Sequence, residues 1–397
     1  MNTGSLRQIV AMTAMSLRGI PLRLGASLVI VIAFTGAVTV LICVLALASS
    51  FVDTVTRTGR IDRAIVLSRG AESETVSSLS RQNVATVLDT QGIKHNRDSK
   101  LIGSAETLAS VRLIDRRTGL DTIVALRGVG GNPLDLRPEI HLVSGRMFQA
   151  GLREMIVGRA AQGRVAGLEV GSRVPFPEAD WTVVGAFESA RDWHESELLA
   201  DSASVLAAFQ RNSFNSVTVW LDSAAAFDPF KAALASNPSL AVEVTRESDY
   251  LAALSAPTAR LLKAVAYTIG LLMCLGAAFA CINAMYSVVT GRSTEIATLR
   301  AIGYEATAVL IAVMTEAMLL ALAGALVGAV VSWCFFNGSS VNTVSEKAHS
   351  AVNYTLTIGR GLLALGILSA CGVGLIGGLL PALRAARLPI AAGLRKI

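Results

Sequence analysis

Residues Ala308 to Phe336 read AVLIAVMTEAMLLALAGALVGAVVSWCFF, with Glu316 as their only charge. At ~1.5 Å per residue, a helix of this length exceeds the ~30 Å hydrocarbon core of a bilayer. A backbone in lipid must satisfy its own hydrogen bonds, so the stretch is read as a membrane-crossing helix. Three further stretches share its character: Leu24 to Ala48, Ala264 to Thr290 and Leu362 to Leu380. One precedes and three follow some two hundred residues of mixed polarity. The expected fold is therefore a bundle of four transmembrane helices in a 1+3 arrangement with one large mixed α/β extramembrane domain in two subdomains.

Composition agrees. A mean hydropathy of +0.55 and 52% hydrophobic residues are too apolar for an ordinary soluble domain. The formal net charge of +6 dissolves as a nucleic-acid signal once it is mapped. From Phe51 to Pro257 there are 22 Lys+Arg and 25 Asp+Glu; the rest of the chain has 13 and 4. The basic excess sits beside helix ends: Arg7, Arg18 and Arg23; Arg292 and Arg300; Arg384, Arg387, Arg395 and Lys396. By the positive-inside rule these regions are cytoplasmic, which puts residues 51–257 and the segment from Asn337 to Gly359 outside. The expected location is a bacterial inner membrane, with the large domain periplasmic. The first span is too long for a signal-peptide core, and "LALASSFVD" is a loose cleavage match, so it is read as a retained anchor. All five cysteines lie in the spans and none in the large domain, so an ordinary core must hold that domain.

The expected boundaries follow: an amphipathic N-terminal helix at 1–23, spans at 24–50, 258–290, 306–336 and 361–381, and the large domain at 51–257. A cytoplasmic helix occupies 291–305, a short external loop 337–360, and a tail 382–397. In the first segment Leu6, Ile9, Val10, Thr13 and Leu17 share a helical face, suited to the inner membrane interface. In the large domain, Leu108 to Asp115 and Asp121 to Val129 alternate around RRTGLD, a hairpin pattern. Ser77 to Thr90 has helical periodicity, and Ser216 to Arg246 reads as a βαβ-like run returning to the membrane.

Between the second and third spans, RSTEIATLRAIG sets Ile296, Leu299 and Ile302 at helical spacing, with Arg292, Glu295 and Arg300 between them and Gly303 as a stop. A soluble protein could dock on such a helix; a turn resting on the membrane with solvated charges fits equally well. Glu316 is expensive within a span and should be neutralised or paired. It is either a proton or substrate site or a packing hydrogen bond, to Asn283, Ser332 or a second protomer. Gly324 and Gly328, like Gly374 and Gly378, permit close helix approach. Gly372, Gly374 and Gly377 spell G-x-G-x-x-G but follow no strand, so the dinucleotide reading fails. His194 and Glu195 lack the second histidine of a helical zinc motif, Leu198 standing there instead. No metal or cofactor site is expected, and Trp181, Trp193 and Trp220 read as core or rim aromatics. The chain has no Gly-Lys pair and so no P-loop.

The segment GRSTEIATLRAIGYEATAVLIAVMTEAMLLALAGALVGAVV resembles the signature of FtsX-like, MacB-type permeases of ABC transporters, at Arg292, Glu295, Ile296, Leu299 to Gly303, Glu316, Gly324 and Gly328. The C-terminal GGLLPALRAARLPIAAGLR is similar to that family's closing pattern at Pro381, Ala382, Ala385, Ala386, Pro389 and Leu394. Ser144-Gly145-Arg146 and Val184-Gly185 resemble its periplasmic core domain. The resemblance implies that 291–305 is a coupling helix for a separate ATPase subunit, present in two copies and carrying the ATP and magnesium. It implies a homodimer, paired through the first two spans, that moves its periplasmic domains by mechanotransmission and exports a substrate, with room for a periplasmic adaptor and an outer-membrane channel. The chain itself would be no enzyme. An FtsX-like regulator of a cell-wall hydrolase and a lipoprotein-releasing permease share the topology and stand as alternatives.

Overall fold

The computed structural model describes residues 3–19, 23–131, 133–176, 180–345 and 350–389. Leu394, Arg395 and Lys396, each singled out from the sequence, lie outside the described residues. The chain divides into two units: a helical one (Met1–Ala48, Leu261–Ser339 and Leu356–Ile397) and a mixed one (Ser49–Arg260 and Ser340–Thr355).

The helical unit holds α1 (Thr3–Arg18) and most of α2 (Leu24–Thr56). Among the described residues, four helices are long and apolar enough to cross a membrane: α2, then α8 (Glu247–Gly291), α10 (Ala306–Phe336) and α11 (Arg360–Ala386). Three run past the expected spans; the first was expected to end at 50, yet α2 continues to Thr56. The second span was expected from 258, yet α8 begins at Glu247 and is 45 residues long, because nothing before Pro257 breaks the helix. The fourth was expected to end at 381, yet α11 passes through Pro381 to Ala386. A proline in a membrane helix is tolerated where neighbouring turns re-satisfy the freed carbonyl. α10 matches its expected bounds.

The mixed unit is built on one ten-stranded sheet, order β10-β1-β9-β2-β3-β8-β5-β7-β4, with β6 also on β7. In chain order it begins with β1 (Arg63–Ser68), a 3-10 turn at Glu74–Val76, and α3 (Arg81–Leu88), whose N-cap Ser80 accepts from Asn83 N at 3.1 Å. β2 (Gly103–Ile114) and β3 (Asp121–Val129) form the expected hairpin, in register from Thr107↔Gly128 to Ile114↔Asp121. Then come α4 (Pro133–Leu136), β4 (Ile140–Gly145), β5 (Glu154–Gly158), α5 (Arg159–Arg164), β6 (Arg173–Pro175) and β7 (Asp180–Ser189). A 3-10 turn at Trp193–Ser196 leads to β8 (Leu198–Asp201), α6 (Ser202–Ala208), β9 (Ser216–Trp220), α7 (Phe227–Ala235) and β10 (Val242–Arg246). β9 and β10 flank β1, both antiparallel to it, so the βαβ-like run straddles the first strand.

Two large cores lie along this one sheet. One gathers Leu126, Trp181, Leu198 and neighbours from the middle of the chain; the other gathers Val66, Leu79, Val217 and Phe230 from its ends. The segment 337–360, expected as a plain loop, contains a hairpin of β11 (Ser340–Ser345) and β12 (Ser350–Thr355), in register from Ser340↔Thr355 to Ser345↔Ser350. Tyr354 packs edge-on against Phe51, 5.8 Å between ring centroids, and so the hairpin joins the mixed unit.

Candidate functional site

Gly291 closes α8 and Arg292, at φ −106° and ψ 9°, turns the chain into a nine-residue helix, α9 (Ser293–Ala301). Its end is set by Gly303 at φ +105°, a left-handed conformation that glycine adopts without a Cβ penalty. There Gly303 N donates to Arg300 O at 3.1 Å and Tyr304 N to Leu299 O at 3.2 Å. The expected stripe of Ile296, Leu299 and Ile302 is not one buried face. Ile296 and Ala297 turn inward, whereas Ile302 is 73% exposed. At ~100° per residue, the six steps from Ile296 to Ile302 leave Ile302 about 120° round the helix axis from Ile296. Glu295 is exposed as well, its side chain 61% accessible.

A buried chain of polar contacts holds α9 to α1 and α10. Arg292 Nη1 donates to Ser16 Oγ at 2.7 Å, and Ser16 Oγ donates to Glu316 Oε2 at 2.5 Å. The guanidinium and the carboxylate are 3.8 Å apart, and all three residues are under a tenth exposed. Arg292 Nε also reaches Glu295 Oε2 at 3.1 Å, and Arg23 lies 4.0 Å from the same carboxylate. Arg300 Nη1 donates to Leu388 O at 2.7 Å, tying α9 to the chain beyond α11. Glu316 is thus paired, but with neither Asn283 nor Ser332. Ser332 Oγ instead donates to Gly328 O within its own helix. Ser16 is the residue that sequence reading missed, because it sits on a terminal helix three hundred positions from Glu316. The same contact buries Met12 and Ser16 of α1, while Val10, on the apolar face expected at the membrane interface, is 60% exposed.

The four packing glycines fall at helix contacts. A Cβ on Gly324 would lie 2.6 Å from Val31 O, and one on Gly328 2.8 Å from Thr35 O, both on α2. The approach lets Thr35 Oγ1 donate to Gly324 O at 3.1 Å and Thr39 Oγ1 to Gly328 O at 3.2 Å. Gly374 and Gly378 of α11 face Ala321 and Ala317 of α10. Small residues and hydroxyls thus replace the hydrophobic drive that lipid cannot supply.

The mixed unit holds a second polar constellation, absent from the sequence reading. Arg127 on β3 is 1% exposed and reaches Glu74 at 2.8 Å, Glu106 at 2.7 Å and Glu197 at 3.0 Å. Arg137 reaches Glu106 at 2.6 Å, and His194 Nδ1 lies 2.8 Å from Glu197 Oε2. Burial alone would raise Glu197, yet Arg127 and His194 outweigh it and hold the carboxyl down at about 2. Against the same cost of burial, Arg137 and Arg127 lower Glu106. His194 therefore belongs to an ion-pair network with Glu197 rather than to a pair with Glu195. Among the described residues, no group of His, Cys, Asp or Glu could hold a metal ion. Trp181 is fully buried, Trp193 carries Arg127 over its ring, and Trp220 is flanked by Arg60 and Lys94. The sequence signal for it is an ionic residue in an apolar strand, as in TIVALRGV around Arg127.

Residues 267–390 match the FtsX-like permease C-terminal family, a range spanning α9, α10 and α11 and most of α8. Among curated proteins, none is significantly similar in sequence. Among solved structures, the chain is similar to the extracellular domain of the noncanonic ABC-type transporter YknZ from Gram-positive bacteria. That likeness has 18% identity and a TM-score of 0.36, covering 46% of this chain and 99% of that one. It is also similar to the periplasmic region of MacB from Actinobacillus actinomycetemcomitans, at 16% identity and a TM-score of 0.38, covering 49% of this chain and 92% of that one. Residues 267–390 of this membrane protein thus form an FtsX-like permease C-terminal domain.

Proposed function

We propose that the chain is the transmembrane subunit of an ABC system in which a separate ATPase, in two copies, docks on α9 from the cytoplasm. Two copies of the chain pair through α2 and α8, and nucleotide-driven closure of the ATPases displaces α9. The displacement passes along α2 and α8 to the mixed unit, which lies outside the membrane and drives export. ATP and magnesium stay on the partner, and a periplasmic adaptor with an outer-membrane channel completes the route.

The observation that carries this reading is the construction of α9 within the matched permease domain. Its inner side is fastened through Arg292 to α1 and α10, while Glu295 and Ile302 are left exposed. A short helix anchored on one side and open on the other suits a load-bearing contact with a soluble partner. The two helices continuing beyond a span are also fitting: α8, at 45 residues, is about 68 Å long against a ~30 Å hydrocarbon core.

Co-purification with the ATPase tests it. Ile302→Asp changes an exposed side chain, and Glu295→Ala removes an exposed carboxylate while Arg292 keeps Ser16 and Glu316, so insertion should persist while ATPase recovery falls at least tenfold. Undiminished recovery would refute docking on α9. A reporter fused at residue 150 should read external and one at 295 cytoplasmic.

A further inference from the structure

Arg63, the first residue of β1, is 1% exposed and has three hydrogen-bond acceptors and one ion-paired carboxylate around its guanidinium. Its Nη2 donates to Thr58 O at 2.6 Å and to Glu139 Oε1 at 2.6 Å; its Nη1 donates to Leu136 O at 2.9 Å. Its Nε forms an ion pair with Glu247 Oε2 at 2.8 Å. These acceptors come from three places in the mixed unit. Thr58 belongs to the turn that ends α2, Glu247 is the first residue of α8, and Leu136 and Glu139 lead into β4.

The two helix ends are laced further. Arg60 N donates to Glu247 Oε2 at 3.1 Å, and Ser248 N donates to Arg60 O at 3.3 Å. A Cβ on Gly59 would stand 3.0 Å from Ser248 Cα, so the turn after α2 runs directly against the start of α8. Thr58 Oγ1 donates to Asp192 Oδ2 at 2.8 Å, extending the contact to the turn before β8. Five donors in a rigid plane can satisfy several acceptors at fixed angles, which a lysine ammonium cannot reproduce. In a buried setting, such a group holds its partners in one arrangement or in none.

We infer that Arg63 is the positioning residue that clasps the end of α2 and the start of α8 to the external sheet, so that the two helices act on it as one piece. The inference deepens the proposed function and rests on it for its mechanical meaning, but the clasp itself is testable without any partner.

Hydrogen exchange on the full chain in nanodiscs reads it directly. In Arg63→Lys, the amides of 59–62, 247–250 and 137–140 should exchange at least tenfold faster together, with β5 and β8 unchanged. If one helix end loosens and the other keeps its protection, the clasp is wrong. Should Arg63→Lys lose protection in β5 and β8 as well, Glu247→Gln decides, since it preserves volume and spares the other three acceptors. It should loosen 59–62 and 247–250 together; unchanged exchange there overturns the inference. A second arm adds the ATPase with ATP and vanadate. The wild-type complex should change exchange in α2, α8 and β1, and Arg63→Lys in the helices only. Equal transmission to β1 in the variant removes Arg63 from the mechanism. Unchanged exchange in the wild-type helices and sheet removes the mechanotransmission reading, with the first arm still judging the clasp.

Discussion

Arg292 and Glu316, 24 positions apart on consecutive helices, are bridged by the hydroxyl of Ser16, which accepts from the one and donates to the other. The bridge gives a buried carboxylate and a buried guanidinium their hydrogen bonds within one cluster, joining α1, α9 and α10. Removing one partner of such a pair leaves an uncompensated charge and costs about 3–5 kcal/mol, whereas losing a neutral hydrogen bond costs about 1 kcal/mol. Glu316→Gln should therefore lower the thermal midpoint in detergent several times more than Ser16→Ala. In the latter, the 3.8 Å charge pair can close directly. Equal shifts in the two variants would show that Glu316 carries no charge that matters to folding.

The contact of α10 with α2 leaves no room for a side chain at Gly324, where an added Cβ would sit 2.6 Å from a backbone carbonyl and 2.7 Å from Phe34 Cβ. Overpacking of this kind costs roughly 1–3 kcal/mol and more where backbone is the obstacle. Gly324→Val should reduce the folded, monodisperse yield in detergent sharply. Gly276→Ala, where nothing lies within 4 Å of the added carbon, should leave it unchanged.

Much of this architecture could be read from the sequence because membranes impose simple length and polarity rules. The apolar run at 308–336 and the isolated Glu316 within it were enough to predict a span and a paired carboxylate. The partner was not legible, since Ser16 sits on a terminal helix three hundred positions from Glu316 and no local spacing relates the two. The β11–β12 hairpin was missed for another reason. Its strands are polar and short, and Tyr354 alone hints at an attachment. The Arg127 network escaped for want of pairwise distance: Glu74, Glu106, Arg127, Arg137 and Glu197 come from five separate segments, and no local spacing relates them.

Gly303 ends α9 at φ +105°, and no neighbouring atom crowds its absent Cβ. A substitution there meets backbone strain alone, about 1–2 kcal/mol for an ordinary residue and more for a β-branched one. Gly303→Val should leave the bundle folded but fray the Gly303-to-Arg300 and Tyr304-to-Leu299 bonds. Amide exchange at residues 299–304 should rise, and ATPase recovery should fall with it. Recovery at the wild-type level despite a frayed turn would separate the end of α9 from docking.

Acidification should loosen the mixed unit through its buried carboxylates. Glu197 is held at about 2 although burial alone would raise it, because Arg127 and His194 favour its charged form. An acid whose folded value is depressed contributes stability above its unfolded value of ~4.3, and that stability drains away as pH falls toward the folded one. At ~1.4 kcal/mol per unit, Glu197 accounts for roughly 3 kcal/mol lost between about pH 5 and pH 2. Glu106, depressed by Arg137 and Arg127, acts in the same sense. Asp192 acts oppositely: burial raises it, so its protonation relieves a cost and offsets part of the loss. Arg127→Met should destabilise by about 3–5 kcal/mol near neutral pH, leaving the carboxylates of Glu74, Glu106 and Glu197 short of a counter-charge. That penalty should shrink toward pH 3, as protonation removes the charges that Arg127 had balanced. Denaturant titrations of the full chain and the variant at pH 7, 5 and 3, followed by tryptophan fluorescence, measure both slopes. A gap between the two proteins that stays constant across this range would mean that Arg127 supports the sheet by packing rather than by charge.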